Sequence, residues 1–329
     1  MPVTPETILA LGRKFMESRI FLSAAELDLF TILSENEMSA EEVADKLKTT
    51  LRGITILLDA VVSMGLLEKK NNKYHCPESI ASILSKKTST SIMPMVMHSS
   101  ALWRRWSDLT AIVQNGKDKT ENKILKNIES EQEAFIGAMH VVASKIAPGI
   151  VKAIDPGKAV KLLDIGGASG TYTEAFLESS PGMTATLFDL PPVIQIAKRR
   201  LEGTGLPGRI TFIEGDYNKD ELTDGHDLAL LSAIIHQNSP QQNSELYRKI
   251  YHALAPGGRI VIRDHIMSPD HTQPAAGALF AVNMLVGTSG GGTYTFDEIM
   301  ESLESAGFVK IRLIQSDEMM NGLVEGFKP

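Results

Sequence analysis

At 329 residues, 43% hydrophobic and 22% charged, the chain holds material for two domains, or for one large α/β domain with an extension. A net charge of −7 and a pI near 5.7 argue against a broad nucleic-acid footprint, which needs a basic face. The single cysteine, Cys76, excludes an internal disulfide framework, and with no leader-like pattern in MPVTPETILALGRKF and no apolar run of membrane-spanning length, the expected compartment is the cytoplasm.

Residues Thr4–Leu33 predict helix, with Ile8, Leu11, Phe15, Ile20, Leu22, Leu27, Phe30 and Leu33 at helical spacings and Ser23 as an internal boundary. Apolar residues fall on more than one face, so this segment needs neighbours on several sides, in a core or at a subunit interface. Ser39 followed by Glu42 is a capping box opening a helix through Leu47. A second helix runs from Leu51 past Val61, and Glu68–His75 reads as a polar hairpin. Helix, turn, helix, hairpin is a winged-helix pattern. Such a unit can bind DNA, with Arg52 on a recognition helix, or act as a protein–protein module. Glu35, Glu37, Glu41, Glu42, Asp45 and Asp59 outnumber Lys46, Lys48 and Arg52, the wrong balance for phosphate contacts, which favours the second use. His75, Cys76 and His98 lack metal-ligand spacing, so no metal site is expected.

Ser91–Val113 gathers Met93, Met95, Met97, His98, Trp103 and Trp106, which suit a core or an adaptable wall for an aromatic ligand. Gly116–Glu121 predicts a polar loop, and Glu131–Ile150 a helix bearing Phe135, Met139, Val142 and Ile146, with a weak point at Pro148-Gly149. Asp155-Pro156-Gly157 is the clearer boundary. Beyond it, strands and helices alternate. Strands are expected at Val160–Ile165, Thr184–Phe188, Arg209–Ile213, Asp227–Leu231 and Arg259–Arg263. Helices are expected through Phe176 and Leu177 and over Pro191–Leu201, Pro240–Leu254 and Phe296–Ala306, with Val309–Ile314 and Leu323–Phe327 as a closing strand pair. This order predicts an α/β fold with a doubly wound, mostly parallel sheet.

The stretch VKLLDIGGASGTY, residues 160–172, reads as buried strand, tight turn and helix start. Gly166, Gly167 and Gly170 let backbone pass close beneath a ligand. Asp164 closes the strand, where open α/β sheets bind their ligands. A dinucleotide fingerprint counted from Gly166 requires glycine where Ala168 and Thr171 stand. The pattern D-x-G-x-(small)-x-G over Asp164, Gly166, Ala168 and Gly170 instead resembles the loop of S-adenosylmethionine-dependent methyltransferases. Asp189 ends the second strand, where a carboxylate can accept both hydroxyls of a ribose, and Asp216 follows the third. Three acids at successive strand ends favour a nucleoside-type ligand over solvated ends. The fourth strand leads to His236, placed as a general base. Asp264 ends the fifth, and if the two strands are neighbours its carboxylate orients the imidazole.

Together LLDIGGASG, FDLPPVI, EGDY, the strand leading to His236 and LAPGGRIVIRD resemble the small-molecule O-methyltransferases, a family that includes plant caffeate and flavonoid enzymes, acetylserotonin methyltransferase and bacterial polyketide methyltransferases. The resemblance covers nearly the whole chain. It implies S-adenosylmethionine as cofactor, leaving as S-adenosylhomocysteine, and methyl transfer to a phenolic hydroxyl of a small aromatic metabolite. It also implies three regions: residues 1–100, a winged-helix-like homodimerisation domain; 101–155, a helical linker and pocket region; and 156–329, a Rossmann-like catalytic domain. Carried over by residue, Gly166, Asp189, Leu190, Asp216 and Tyr217 fall at the cofactor, beside Asp164, Gly167 and Gly170 of the loop. Ser232 stands where plant members carry a lysine near the cofactor. His236 falls at the base and Asp264 at its acidic partner. Phe135 and Met139 match an F-x-x-x-M helix lining the pocket, with Met97, Trp103, Asn283 and Met284 as further acceptor contacts. Thr293 replaces a second acid, and Gln237-Asn238 replace the usual Asp-Trp. No metal, nucleic acid or membrane is an expected partner. The rival readings are N- or C-methylation, another activity on the same scaffold, and a ligand-sensing DNA-binding regulator.

Overall fold

The computed structural model describes residues 3–88, 90–116 and 128–329, without the side chains of 128–135 and 138. It divides into two compact units, Met1–Arg104 and Arg105–Pro329. In the first, the helical segment expected over Thr4–Leu33 is three helices: α1 (Pro5–Arg13), α2 (Phe15–Glu26) and α3 (Leu29–Glu35). The main break falls not at Ser23 but at Asp28, which takes a left-handed φ of 57° and accepts a hydrogen bond from Thr31 Oγ1 at 2.7 Å. An aspartate tolerates that conformation where most residues resist it.

Then follow β1 (Met38–Ser39), α4 (Ala40–Leu47), α5 (Leu51–Ser63), β2 (Glu68–Lys70), β3 (Lys73–His75), α6 (Glu78–Leu84) and α7 (Met93–Trp106). The capping box forms as expected: Glu42 N donates to Ser39 Oγ at 3.3 Å, and Ser39 N to Glu42 Oε2 at 2.6 Å. The wing gains a third strand, in the order β1-β3-β2. Leu29, Phe30, Leu33, Val43, Leu58 and Val61 fill the core of this unit. Helix α1 buries nothing, and it and the start of α2 leave Ile8, Leu9, Leu11, Phe15 and Met16 more than half exposed.

The second unit continues with α8 (Leu109–Asn115) and α9 (Ile128–Ile154). The expected loop Gly116–Glu121 lies, after Gly116, outside the described residues. Helix α9 does not break at Pro148 but runs through it. A proline there removes one hydrogen bond and costs about 3 kcal/mol, against which Ala147, Ile150, Val151 and Ile154 are buried on the core.

The remaining elements are β4 (Lys161–Ile165), α10 (Thr171–Ser179), β5 (Thr184–Asp189), α11 (Pro191–Leu201), β6 (Ile210–Glu214), β7 (His226–Ser232), α12 (Pro240–Ala253), β8 (Leu254–Asp264), β9 (Ile266–Met267), α13 (Ala275–Gly287), β10 (Tyr294–Thr295), α14 (Phe296–Ser305), β11 (Val309–Gln315) and β12 (Gly322–Phe327). The main sheet has the order β11-β12-β8-β7-β4-β5-β6, parallel from β8 to β6 and antiparallel at β12 and β11. This is the expected doubly wound, mostly parallel sheet. Its strands are buried on both faces, which is why they read as continuous apolar runs. Leu162, Leu228, Leu230 and Val261 pack toward α9, α10 and α11; Leu163, Ile165, Leu231 and Ile262 pack toward α12 and α14.

Two details differ from the sequence reading. Strand β8 begins at Leu254, so Pro256-Gly257-Gly258 lies inside it. Helix α13 and the parallel pair β9–β10 form from residues whose composition gave no period. The order of strand addition, not the strand direction, reverses between β4 and β7: β5 and β6 build outward on one side, β7 and β8 on the other. A crevice opens at the carboxyl ends of strands at such a switch.

Candidate active site at the carboxyl edge of the sheet

At the end of β4, Gly166 turns with φ 67° and donates its N–H to Phe188 O at 2.8 Å. A Cβ there would lie 2.3 Å from Ile234 Cδ1, and one on Gly167 would lie 2.9 Å from Leu187 Cγ. Ala168 follows with φ 48° and donates its N–H to Asp189 Oδ2 at 2.8 Å, while Leu190 N donates to Oδ1 at 2.7 Å. The glycine loop and the end of β5 are thus tied through one carboxylate. Each of its oxygens keeps lone-pair capacity for a further donor such as a ligand hydroxyl. Burial raises the Asp189 pKa, and the two N–H groups oppose the rise.

Tyr217 lies beside Gly166, its hydroxyl pushed up to about 12 by burial. Asp216 follows β6, with Oδ2 2.8 Å from Lys219 Nζ and Oδ1 accepting from Asn218 N at 3.0 Å. The Lys219 contact, chiefly, holds its pKa low. Leu190 is 42% exposed. Asp164 is placed otherwise: it lies beneath the loop, 1% exposed, and accepts from Thr173 Oγ1 at 2.6 Å. Burial raises its pKa to about 6. It braces the turn from below.

Strands β7 and β8 are neighbours, the condition on which the His–Asp pairing rested. After Ser232 the chain turns at Ala233, φ 60°, into a short 3₁₀ turn, Ile235–Gln237, that carries His236. Its Nδ1 lies 3.0 Å from Asp264 Oδ1 and 2.9 Å from Oδ2, and both side chains are buried. Asp264 Oδ1 also accepts from His265 N at 2.8 Å. Donating Nδ1–H to the carboxylate leaves the Nε2 lone pair as the imidazole's basic site. The turn itself is clamped: Gly292 N donates to His236 O at 2.9 Å, Tyr294 Oη to Asn238 O at 2.5 Å, and Asn243 Nδ2 to Ile235 O at 2.9 Å. Asn238, in the place of the usual tryptophan, is buried and donates to Asn243 Oδ1 at 3.0 Å. Thr293 is buried in the same loop.

Of the acceptor candidates, Met284 is buried on α13, and Asn283 Oδ1 accepts from Trp106 Nε1 at 3.1 Å. Met139 is half-buried on α9; the side chain of Phe135 lies outside the described residues. Met97 and Trp103 belong to the first unit, partly buried against its core, with Trp103 packed on Phe15 and under Arg19. Ser232 Oγ accepts from Arg263 Nη1 at 3.3 Å.

Sequence reasoning missed Phe280 and His265. The Phe280 ring stands edge-on to His236 with centroids 4.8 Å apart, and 5.2 Å from the ring of His265. His265 directly follows Asp264, but nothing marks a lone histidine until packing buries it. His140, one residue past Met139, was missed too; its Nδ1 lies 2.8 Å from Thr171 Oγ1 at the start of α10. Cavities of about 270 and 290 Å³ lie elsewhere, between α12 and α14 at Asn243, Tyr294 and Ser302, and at the amino ends of the strands near Lys161 and Thr184.

Residues 106–309 match the O-methyltransferase domain, and residues 9–86 the O-methyltransferase dimerisation domain. The chain is 28% identical to acetylserotonin O-methyltransferase of Gallus gallus, covering 97% of this chain and 96% of that one. It is 28% identical to 3-hydroxy-5-methyl-1-naphthoate 3-O-methyltransferase of Streptomyces sahachiroi, covering 98% and 95%. The crystal structure of human N-acetylserotonin methyltransferase in complex with SAM superposes with a TM-score of 0.82 at 27% identity, covering 99% of this chain and 98% of that one. Through both matched segments, this chain belongs to the O-methyltransferase family.

Proposed function

We propose that this protein transfers a methyl group from S-adenosylmethionine to a phenolic hydroxyl of a small aromatic metabolite, with His236 as general base. The observation that carries the reading is the buried His236–Asp264 pair at the ends of β7 and β8, across the switch point from the glycine cradle. The residues present fit the cofactor: Gly166 and Gly167 let the loop close tightly over Ile234 and Leu187, and Asp189 holds acceptors for ribose hydroxyls. Leu190, Asp216 and Tyr217 complete its proposed surround. The relatives' acceptors, acetylserotonin and a hydroxynaphthoate, support a small aromatic hydroxyl compound.

When bound, S-adenosylmethionine supplies a sulfonium methyl group and leaves as S-adenosylhomocysteine. A phenol of pKa near ~10 must lose its proton as it attacks. His236 Nε2 takes that proton, and Asp264 at Nδ1 stabilises the imidazolium that results. Met139, Asn283 and Met284, all of the second unit, remain the proposed acceptor contacts.

The dimerisation domain, together with the exposed Ile8, Leu9, Leu11, Phe15 and Met16, supports a homodimer built through residues 1–100. Light scattering that gives a monomer at micromolar concentration sinks that part. No helix among the described residues is long and apolar enough to cross a membrane. The test of the activity is incubation with labelled methyl donor and a panel of phenols. Label recovered as an aryl methyl ether is expected. Label on nitrogen or carbon favours the rival transfer, and cofactor binding with no transfer to any hydroxyl overturns the reading.

A further inference from the structure

Arg263, beside Asp264 near the end of β8, is 8% exposed, and its guanidinium meets only neutral oxygens among the described residues. Nη1 donates to Ser232 Oγ at 3.3 Å and Nη2 to Asn321 Oδ1 at 2.8 Å, while the buried Nε has no partner. The guanidinium lies over the Tyr172 ring, 5.3 Å from its centroid. Tyr172 is 9% exposed, and its buried hydroxyl approaches Ser232 without completing a hydrogen bond of good geometry. Asp164, whose charge reaches this hydroxyl, is committed to Thr173.

A buried cation without an anion is costly, and two orphaned donors in one stacked pair add to the cost. The group that resolves both is an anion able to accept two hydrogen bonds. An arginine stacked on an aromatic ring keeps its in-plane N–H groups for such a partner. Ser232 and Arg263 pair across β7 and β8, and Tyr172 sits in the first turn of α10, which the glycine loop opens. The anion site therefore adjoins the cofactor cradle.

We propose that Arg263 and Tyr172 form a carboxylate site that receives the amino-acid end of S-adenosylmethionine. The inference rests on the cofactor reading above. The test compares binding of S-adenosylmethionine with binding of decarboxylated S-adenosylmethionine, by calorimetry. The wild type is expected to favour the carboxylated form by about 10–100-fold, the range for a hydrogen bond to a charged group. Arg263→Met should lose that preference while binding the decarboxylated form as the wild type does. Arg263→Lys should recover part of the preference, and Tyr172→Phe should lose a few-fold of it.

Equal affinity of the wild type for the two ligands overturns the proposal but leaves the cofactor reading standing. Failure to bind either ligand overturns both. Equal weakening of both ligands in Arg263→Met, or no change in S-adenosylmethionine affinity with a raised KM for a carboxylated phenol, also overturns it. The first result makes Arg263 structural, and the second assigns the site to the acceptor. If Arg263→Met does not fold, the wild-type preference and the Tyr172→Phe and Arg263→Lys variants decide.

Discussion

Asp164 and Asp264 stand at matching places, each at the carboxyl end of a parallel strand and each 1% exposed. Their partners differ. Asp164 accepts from the Thr173 hydroxyl, which satisfies a lone pair but brings no charge, so burial lifts its pKa to about 6. Asp264 faces the imidazole of His236 along both oxygens and takes the His265 N–H as well. An imidazole can become a cation, so that carboxylate faces a group able to take up a proton where the other does not. Burial alone does not make an acid functional; the partner's ability to change charge does.

The largest expected effect is at the imidazole. His236→Ala should cut turnover on a phenol by about 10²–10⁴. Affinity for S-adenosylmethionine should stay nearly intact, and part of the loss should return at high pH, where the acceptor ionises unaided. Near-wild-type turnover at neutral pH breaks the contrast between the two acids. Asp264→Asn keeps the base but removes the charge that stabilises its protonated form, so the loss should be smaller, about 10–10²-fold. A Kd for the cofactor, measured alongside, should not move. Asp189→Ala acts on the other side of the switch point: affinity should fall by roughly 1.5–3 kcal/mol for each charge-assisted bond lost. Calorimetry showing unchanged affinity in a folded variant removes Asp189 from the site.

The parallel strands were legible because burial on both faces makes them apolar without interruption, so the first polar residue after each run marks the sheet edge. Asp164 and Asp189 were found that way, and His236 and Asp264 by following the chain a little past the same edge. What distinguishes Asp164 from Asp264 was not visible, since it depends on Thr173 one turn into α10 and on His236 one strand away. Helix α13 was missed because AAGALFAVNMLVG is apolar nearly all round and shows no face. With it went Phe280, which touches both His236 and His265. Tyr172 and Arg263 come from separate strand–helix units, and each reads alone as an ordinary residue of its element. The break at Asp28 turns on a left-handed φ that propensity does not announce.

Asp164→Asn tests the quieter half of the contrast and should have the smallest effect on turnover. The folded pKa of about 6 lies above the ordinary carboxylate value near ~4, so between those pH values the folded chain holds a proton that the unfolded chain has released. Folding then takes up a proton, and stability falls as pH rises through that window, becoming flat above it. Two pH units correspond to about 3 kcal/mol at most. Asparagine keeps an oxygen for the Thr173 hydroxyl and carries no charge, at the cost of an amide N–H₂ that must find acceptors. The wild type minus variant difference in unfolding free energy, measured in urea at pH 4, 5, 6 and 7, should decline across the window and then level off. Turnover with saturating cofactor should change by less than about threefold, since Asp164 reaches the loop only from below. A variant that grows less stable relative to wild type as pH rises would show that the ionised Asp164 supports the fold, drawing on the loop's N–H groups. The two acids would then differ in partner but not in kind.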